Sequence, residues 1–391
     1  MLTSIALIFL CGILLGSIFN KLKLPSLLGM IITGMILSPY ALDLLHESIL
    51  NISGDLRQLA LVIILTRAGL SLDIKDLKKV GRPAVLMCFV PACFEILGVV
   101  LIAPKIFDVS IIEAGIMGSV IAAVSPAVIV PRMIKIMEEG YGKKHSIPQL
   151  ILAGASVDDV FVIVVFTAFV SLATGGSVST ISLMQIPISI ALGIIAGAVF
   201  GLVLVQFFKI LHIRDSVKIL IILSISFLLI ELQNRLEGIV SISGLLAIMS
   251  MAIIIKQKYD VLATRLSLIY DKLWVAAEVL LFVLVGTTVD LNYALSAGTV
   301  AIAIVCGALL FRMVGVLVCL IKTKLTGKER AFCMVAYTPK ATVQAAIGAI
   351  PLSIGLACGQ KVLTIAVLSI LITAPFGAIC IDGLYKKLLE K

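Results

Sequence analysis

The stretch Ile151–Ala173, ILAGASVDDVFVIVVFTAFVSLA, is long and apolar enough to cross a bilayer as a helix, yet it carries two adjacent aspartates, Asp158 and Asp159, at its middle. A carboxylate at the bilayer centre costs about 2.5–3.5 kcal/mol on insertion scales. A fold built on this stretch must therefore give both acids something to do. One reading is structural, a buried acid paired with a base on another helix. The stronger reading is a site that carries cations or protons.

The rest of the chain points to the same medium. Of 391 residues 61% are hydrophobic and 14% charged, with mean hydropathy +1.21, an apolar excess that no soluble domain of this size needs. The chain is read as an all-α polytopic membrane protein, not an enzyme and with no cofactor beyond the ions it carries. The net charge of +9 lies in short loops between apolar runs, where orientation in the membrane explains it better than nucleic acid does. Cys11, Cys88, Cys93, Cys306, Cys319, Cys333, Cys358 and Cys380 lie in apolar runs without metal-type spacing and read as small buried hydrophobes. The first apolar run lacks a basic leader and a small-residue cleavage site, which predicts a retained span. No long soluble tail is present, so no appended nucleotide-binding domain is expected.

Thirteen transmembrane helices are expected, at about 2–19, 25–43, 55–72, 83–107, 111–137, 147–173, 181–211, 216–233, 240–256, 266–289, 294–321, 330–356 and 362–385. The loops support this number. One alternate set of loops holds twenty-three Lys and Arg residues, and the other holds four, Arg57, Lys105, Arg235 and Lys361. By the positive-inside rule the N-terminus lies outside and the C-terminus in the cytoplasm of a multi-pass protein of the cell membrane.

Short matches recur seven spans apart. The third span ends GLSLD (69–73) and the tenth ends GTTVD (286–290), while Ser125-Pro126 in the fifth is matched by Thr338-Pro339 in the twelfth. An odd displacement inserts the second copy upside down, so spans 2–6 and 9–13 read as an inverted repeat of five helices. Proline removes an N–H and clashes with the preceding turn, so both helices should break there. Ser125 and Thr338 are placed to cap the new half-helices, with proline at the first position. Such breaks are tolerated at membrane depth where they line a cavity or are buried in protein, and their ends present partial charges to an ion. The plain alternative is a proline kink.

Other charges also fall inside spans. Glu95 and Arg312 occupy equivalent spans of the repeat and are expected to form a structural ion pair. Lys340 follows the second break and is expected to neutralise the carbonyl ends of two opposed half-helices; its alternative is a proton-labile amine. Glu278 has no evident partner, and Arg67 can reach the cytoplasmic interface. His46, His145 and His212 read as loop histidines, His145 being the candidate pH sensor.

The runs AAVSPAVIVP (122–131), ASVDDVFVIVVF (155–166) and YTPKATVQAA (337–346), together with RAGLSLD (67–73) and LLFVLVGTTVDL (280–291), resemble the sodium/proton antiporters of the monovalent cation/proton antiporter superfamily. The nearest branch is the one of the animal sodium/hydrogen exchanger-like domain proteins. The resemblance covers essentially the whole chain. It implies two crossed discontinuous helices in a transport core of residues 80–175 and 292–391, a dimerisation domain of residues 1–79 and 214–291, and a linker helix in 176–213. It also implies a homodimer and an elevator-like cycle of alternating access. Asp159 is then the main cation and proton carrier with Asp158 beside it, Glu95–Arg312 is the core salt bridge, and Lys340 balances the helix ends. There is one departure. Electrogenic bacterial relatives carry a lysine at the position of Arg312 that pairs with the first aspartate.

A site that takes Na⁺ and H⁺ in turn needs a carboxylate titrating near cytoplasmic pH; burial and a neighbouring carboxylate are what produce one, and Asp158–Asp159 meets both conditions. Adjacent on a helix, the two side chains point about 100° apart. A dehydrated Na⁺ prefers oxygen, and the candidate ligands are Asp159, Asp158, Ser156, Ser125 and carbonyls near 123–125. The expected activity is exchange of Na⁺ or Li⁺ for H⁺. K⁺/H⁺ exchange is the alternative, followed by a sodium-coupled solute symporter of the same architecture. An intramembrane aspartyl protease is excluded, because its two aspartates must face each other from separate helices.

Overall fold

The computed structural model describes residues 1–71, 81–174, 180–211, 213–236, 242–289 and 291–391. Leu72–Asp73 and Asp290 of the repeat motifs, Lys75, Lys78, Lys79 and His212 lie outside the described residues, as does the side chain of Ser156. The described elements are helices: α1 (Leu2–Lys21), α2 (Ser26–Leu37), α3 (Glu47–Asn51), α4 (Ser53–Ser71), α5 (Arg82–Met87), α6 (Val90–Ile106), α7 (Ile111–Ala122), α8 (Pro126–Glu138), α9 (Ile147–Thr174), α10 (Thr180–Ile210), α11 (Asp215–Leu236), α12 (Gly244–Lys258), α13 (Asp260–Thr287), α14 (Leu291–Cys319), α15 (Gly327–Ala336), α16 (Thr342–Ile347), α17 (Ile350–Ser353) and α18 (Gly359–Leu388). Each expected range overlaps a helix or a broken run of helices among the described residues. Six segments among the described residues are long and apolar enough to cross a membrane: Leu2–Lys21, Arg82–Ile106, Ile147–Thr174, Ala191–Ile210, Gly298–Cys319 and Gly359–Leu388.

The second and fourth spans depart from expectation at prolines, while the fifth and twelfth break where breaks were expected. The second span stops at Leu37 rather than at 43, because Ser38 precedes Pro39 and takes an extended conformation with ψ 161°. The fourth span, expected unbroken, is interrupted at Cys88-Phe89 just before Pro91, which opens α6. The fifth breaks between Ala122 and Pro126. The twelfth breaks between Ala336 and Thr342 and again before Pro351. The outer ends of the two broken helices start alike. Ser110–Glu113 and Thr326–Glu329 each form a reciprocal capping box, which satisfies orphan N–H groups at the first turn.

The helices fall into two compact units. One comprises Met1–Gly54, Lys75–Ala173 and Val279–Lys391, the other Asp55–Ile74 and Thr174–Glu278. In the second, Gly193, Gly197 and Gly201 let α10 lie directly on α12: a Cβ at Gly197 would stand 2.2 Å from the Ala247 carbonyl oxygen. The first unit contains every candidate site residue. There α6 and α14 close on each other because Gly98 faces Phe311 while Gly315 faces Pro91 and Phe94. That close approach brings Glu95 and Arg312, on the same two helices, within reach of each other. Helix α9 buries Ile147, Leu150, Ile151 and Ala155 against Met87, Val124, Ile129 and Tyr337, at helical spacings that continue to Asp158.

Candidate cation site

The two breaks meet backbone to backbone. Ser125 N–H donates to the Pro339 carbonyl at 2.8 Å. Breaking α7–α8 leaves the carbonyls of residues 121–123 in need of partners, since Pro126 has no N–H and Ser125 has turned to Pro339. All three find side chains. Arg312 Nη1 donates to Ala122 O, and Gln344 Nε2 donates to Ala123 O at 2.8 Å and to Ile121 O at 3.3 Å. At the other break Arg312 Nε donates to Tyr337 O at 2.7 Å, and its guanidinium lies 5.4 Å from the Tyr337 ring centroid.

The same guanidinium serves two acids. Arg312 Nη1 reaches Glu95 Oε2 at 2.9 Å and Nη2 reaches Asp158 Oδ2 at 2.8 Å, all three side chains being essentially inaccessible to solvent. Val124 N–H also donates to Asp158 Oδ2, at 2.8 Å. Lys340 Nζ donates to Glu95 Oε2 at 2.6 Å, while its backbone N–H donates to Thr373 Oγ1 at 2.9 Å. One expectation changes here. The carbonyl ends assigned to Lys340 are held by Arg312 and Gln344, while the Lys340 ammonium bonds Glu95. Asp158 has a basic partner, because the same arginine bridges it to Glu95.

Capping also differs from expectation. Ser125 is the N-cap residue of α8 with Pro126 at the first turn, but its hydroxyl caps nothing. Thr338 and Pro339 do not start the next half-helix. Thr338 Oγ1 donates back to Val335 O at 2.9 Å, and α16 begins only at Thr342, capped by Ala341 without a side-chain bond. Gly377 makes room for this excursion: a Cβ there would be 2.4 Å from Pro339 Cγ.

What the arrangement leaves open is oxygen. Asp158 Oδ1, Asp159 Oδ1, Ser125 Oγ, Tyr337 Oη, Thr342 Oγ1 and Gln344 Oε1 are buried without a hydrogen-bond partner. Unpaired buried acceptors carry a desolvation cost, which a bound cation or proton offsets. No cluster of three or more His, Cys, Asp or Glu placed to hold a metal ion occurs among the described residues. Tyr337, Gln344 and Thr373 escaped the sequence reading. The first two lie in the run 337–346 itself, and a glutamine four residues past a lysine in an apolar segment was the available signal.

Glu278 and Arg67 both belong to the second unit, where Arg67 Nε is paired with Asp271. His145 is tied to Glu329, with Nδ1 2.9 Å from Oε1.

Broken helices joined at buried, charge-compensated carboxylates define a multi-pass membrane transporter of ions. The particular family follows from comparison: residues 5–387 match the family described as sodium/hydrogen exchanger, transmembrane, and the chain belongs to it. Among curated relatives, sodium/hydrogen exchanger 9B2 of Homo sapiens is 31% identical over 100% of this chain and 75% of its own length. That of Xenopus tropicalis is 32% identical over 96% and 72%, and sodium/hydrogen exchanger 9B1 of Homo sapiens is 30% identical over 98% and 78%. The fold is that of the sodium proton antiporter MjNhaP1 from Methanocaldococcus jannaschii at pH 8, with TM-score 0.87 and 20% identity over 100% of this chain and 99% of that one. The chain is thus an antiporter that exchanges monovalent cations for protons across a membrane, a transporter and not an enzyme.

Proposed function

We propose that the chain exchanges Na⁺ or Li⁺ for H⁺ at Asp159, with Asp158, Ser125, Ser156 and carbonyls of the first break completing the oxygen shell. The observation that carries this reading is the charge balance of the buried cluster. Glu95, Asp158 and Asp159 supply three negative charges when ionised, and Arg312 and Lys340 supply two positive ones. One charge is left over, and it sits with the aspartate that no base touches. A single Na⁺ or a single H⁺ neutralises it, so the loaded site is electrically equivalent in either form. This supports one-for-one, electroneutral exchange.

Glu95, Ser125, Asp158, Asp159, Arg312 and Lys340 all belong to the segments 80–175 and 292–391, which we assign as the transport core. Residues 1–79 and 214–291 form the dimerisation domain of a homodimer and 176–213 the linker, the core moving as an elevator between the two sides of the plasma membrane. The N-terminus lies outside, so a membrane-impermeant thiol reagent should reach a cysteine placed at Ser177 from outside but not one at Gly142; the reverse pattern contradicts the orientation. The function itself is tested by proton flux in proteoliposomes on addition of Na⁺, Li⁺ or K⁺, with and without a membrane potential. Response to Na⁺ and Li⁺ independent of potential is expected. Response to K⁺ alone would make the chain a potassium exchanger, and no cation-driven flux would contradict the reading.

A further inference from the structure

The carbonyl bookkeeping at the first break singles out Gln344. In an unbroken helix the Ile121 carbonyl would accept from Ser125 N–H, but that N–H donates to Pro339. Gln344 Nε2 takes over that carbonyl and the Ala123 carbonyl as well. With two carbonyl oxygens as neighbours the carboxamide can present only its nitrogen to them, so its orientation is settled. Gln344 is 1% exposed, so no solvent competes for these bonds. The short non-helical piece is therefore held from three sides. Gln344 holds the Ala123 carbonyl, Asp158 holds the Val124 N–H, and Pro339 holds the Ser125 N–H. The middle one, Val124, is bonded directly to Asp158.

We propose that Gln344 is a positioning residue for cation selectivity: its two amide donors fix the first break's carbonyls relative to Asp158 and so set which monovalent cation fits. This rests on reading the breaks as the exchange site. The physical reason is that cations of like charge and different radius are told apart by ligand number and by how rigidly the oxygens are spaced. Backbone outside a helix has no internal ladder to hold that spacing, and the glutamine supplies it from the opposite repeat.

The test compares wild type with Gln344→Met, Gln344→Glu and Gln344→His, each purified, checked for folding by thermal unfolding, and assayed for proton flux against Na⁺ and Li⁺ concentration in proteoliposomes. Methionine keeps the length and loses both donors. Glutamate keeps an oxygen and loses both donors. Histidine keeps an N–H. For Gln344→Met and Gln344→Glu the half-saturating Na⁺ concentration should rise about tenfold, the scale of one buried hydrogen bond lost, and the Li⁺/Na⁺ preference should change while maximal rate falls less. Gln344→His should lie between these and wild type. Unchanged affinity and preference in Gln344→Met would overturn the proposal, as would a Gln344→Glu variant indistinguishable from wild type. If Gln344→Met does not fold, the order of His and Glu decides, and Glu nearer to wild type contradicts the donor role. A wild-type protein silent with Na⁺, Li⁺ and K⁺ instead overturns the exchange-site reading, and this proposal with it.

Discussion

Ser125 N–H donates to the Pro339 carbonyl across 2.8 Å, so the two proline-broken helices are joined through the backbone at the point where each lost its helical ladder. Proline 126 causes the first loss, and the carbonyl of Pro339, itself left free by the second break, receives the displaced N–H. The two halves of the repeat thus satisfy each other's missing bonds, and the charged side chains converge where helical bonding has ceased.

Arg312 should be the most stability-critical charge of the cluster. Its loss removes the only ion-pair partner of Asp158 among the described residues and one of the two of Glu95, and strands the carbonyls of Ala122 and Tyr337. Arg312→Met should cost about 3–5 kcal/mol, the usual penalty for removing one partner of a buried pair. Glu95→Gln should cost less, because Asp158 still holds the arginine, although it leaves Lys340 without its closest counter-charge. Thermal unfolding of the purified variants in one detergent measures both. A Glu95→Gln variant less stable than Arg312→Met would show that Lys340, not Arg312, organises the cluster.

Gly154 should tolerate no side chain while Tyr337 is present. A Cβ at this position would stand 2.0 Å from Tyr337 Oη and 2.9 Å from Met87 Cβ. Gly154→Ala should destabilise by about 1–3 kcal/mol through overpacking. Tyr337 Oη has no partner, so Tyr337→Phe alone should be nearly neutral, and the double variant should recover part of the loss. Equal unfolding temperatures for wild type and Gly154→Ala would mean that tyrosine does not fill this space.

Much of this site was legible in local chemistry. Proline's missing N–H pointed to the breaks beside Pro126 and Pro339, although Pro104, Pro131 and Pro375 lie inside continuous helices, and paired aspartates in an apolar run announce a costly burial that must be compensated. What was not legible depends on three-dimensional reach. Arg312 was expected to pair with Glu95, but its fork also spans to Asp158 and to two carbonyls contributed by different breaks. Thr338 looked like a cap, yet its hydroxyl turned back onto the helix before it. The Cys88–Phe89 interruption lay inside the span expected at 83–107, where Pro91 was the available signal, since a proline at the first turn marks a helix start as readily as a kink.

Glu329 ties the start of α15 to the loop before α9. It accepts from Thr326 N–H and hydroxyl through one oxygen and faces His145 Nδ1 with the other. Burial pushes the Glu329 carboxyl up, but the hydrogen bonds from His145 and Thr326 and the charge of His145 outweigh it and leave it below the usual glutamate range. A lowered folded-state pKa contributes stability that is fully present above the unfolded value of about 4.3 and is lost as pH falls through the folded value. Glu329→Gln should therefore unfold at lower temperature than wild type at pH 7, and the gap should close towards pH 3. A gap independent of pH would mean that the carboxylate charge plays no part in the clamp.

Asp158 is bonded to Arg312 and to the Val124 N–H, whereas the Asp159 Oδ1 is buried without a hydrogen-bond partner, which leaves Asp159 to carry the exchanged ion. Asp159→Asn keeps the shape and cannot ionise, and a neutral amide is cheaper in the membrane than a carboxylate, so folding should survive. Asp158→Asn should instead lower cation affinity and disturb Arg312, since its Oδ2 is already occupied by two donors. The deciding measurement is Na⁺-driven proton flux by purified Asp159→Asn in proteoliposomes beside wild type at equal incorporation. Loss of flux with an unchanged unfolding temperature is the predicted result. Substantial Na⁺/H⁺ exchange by Asp159→Asn would contradict it and move the carrier to another carboxylate.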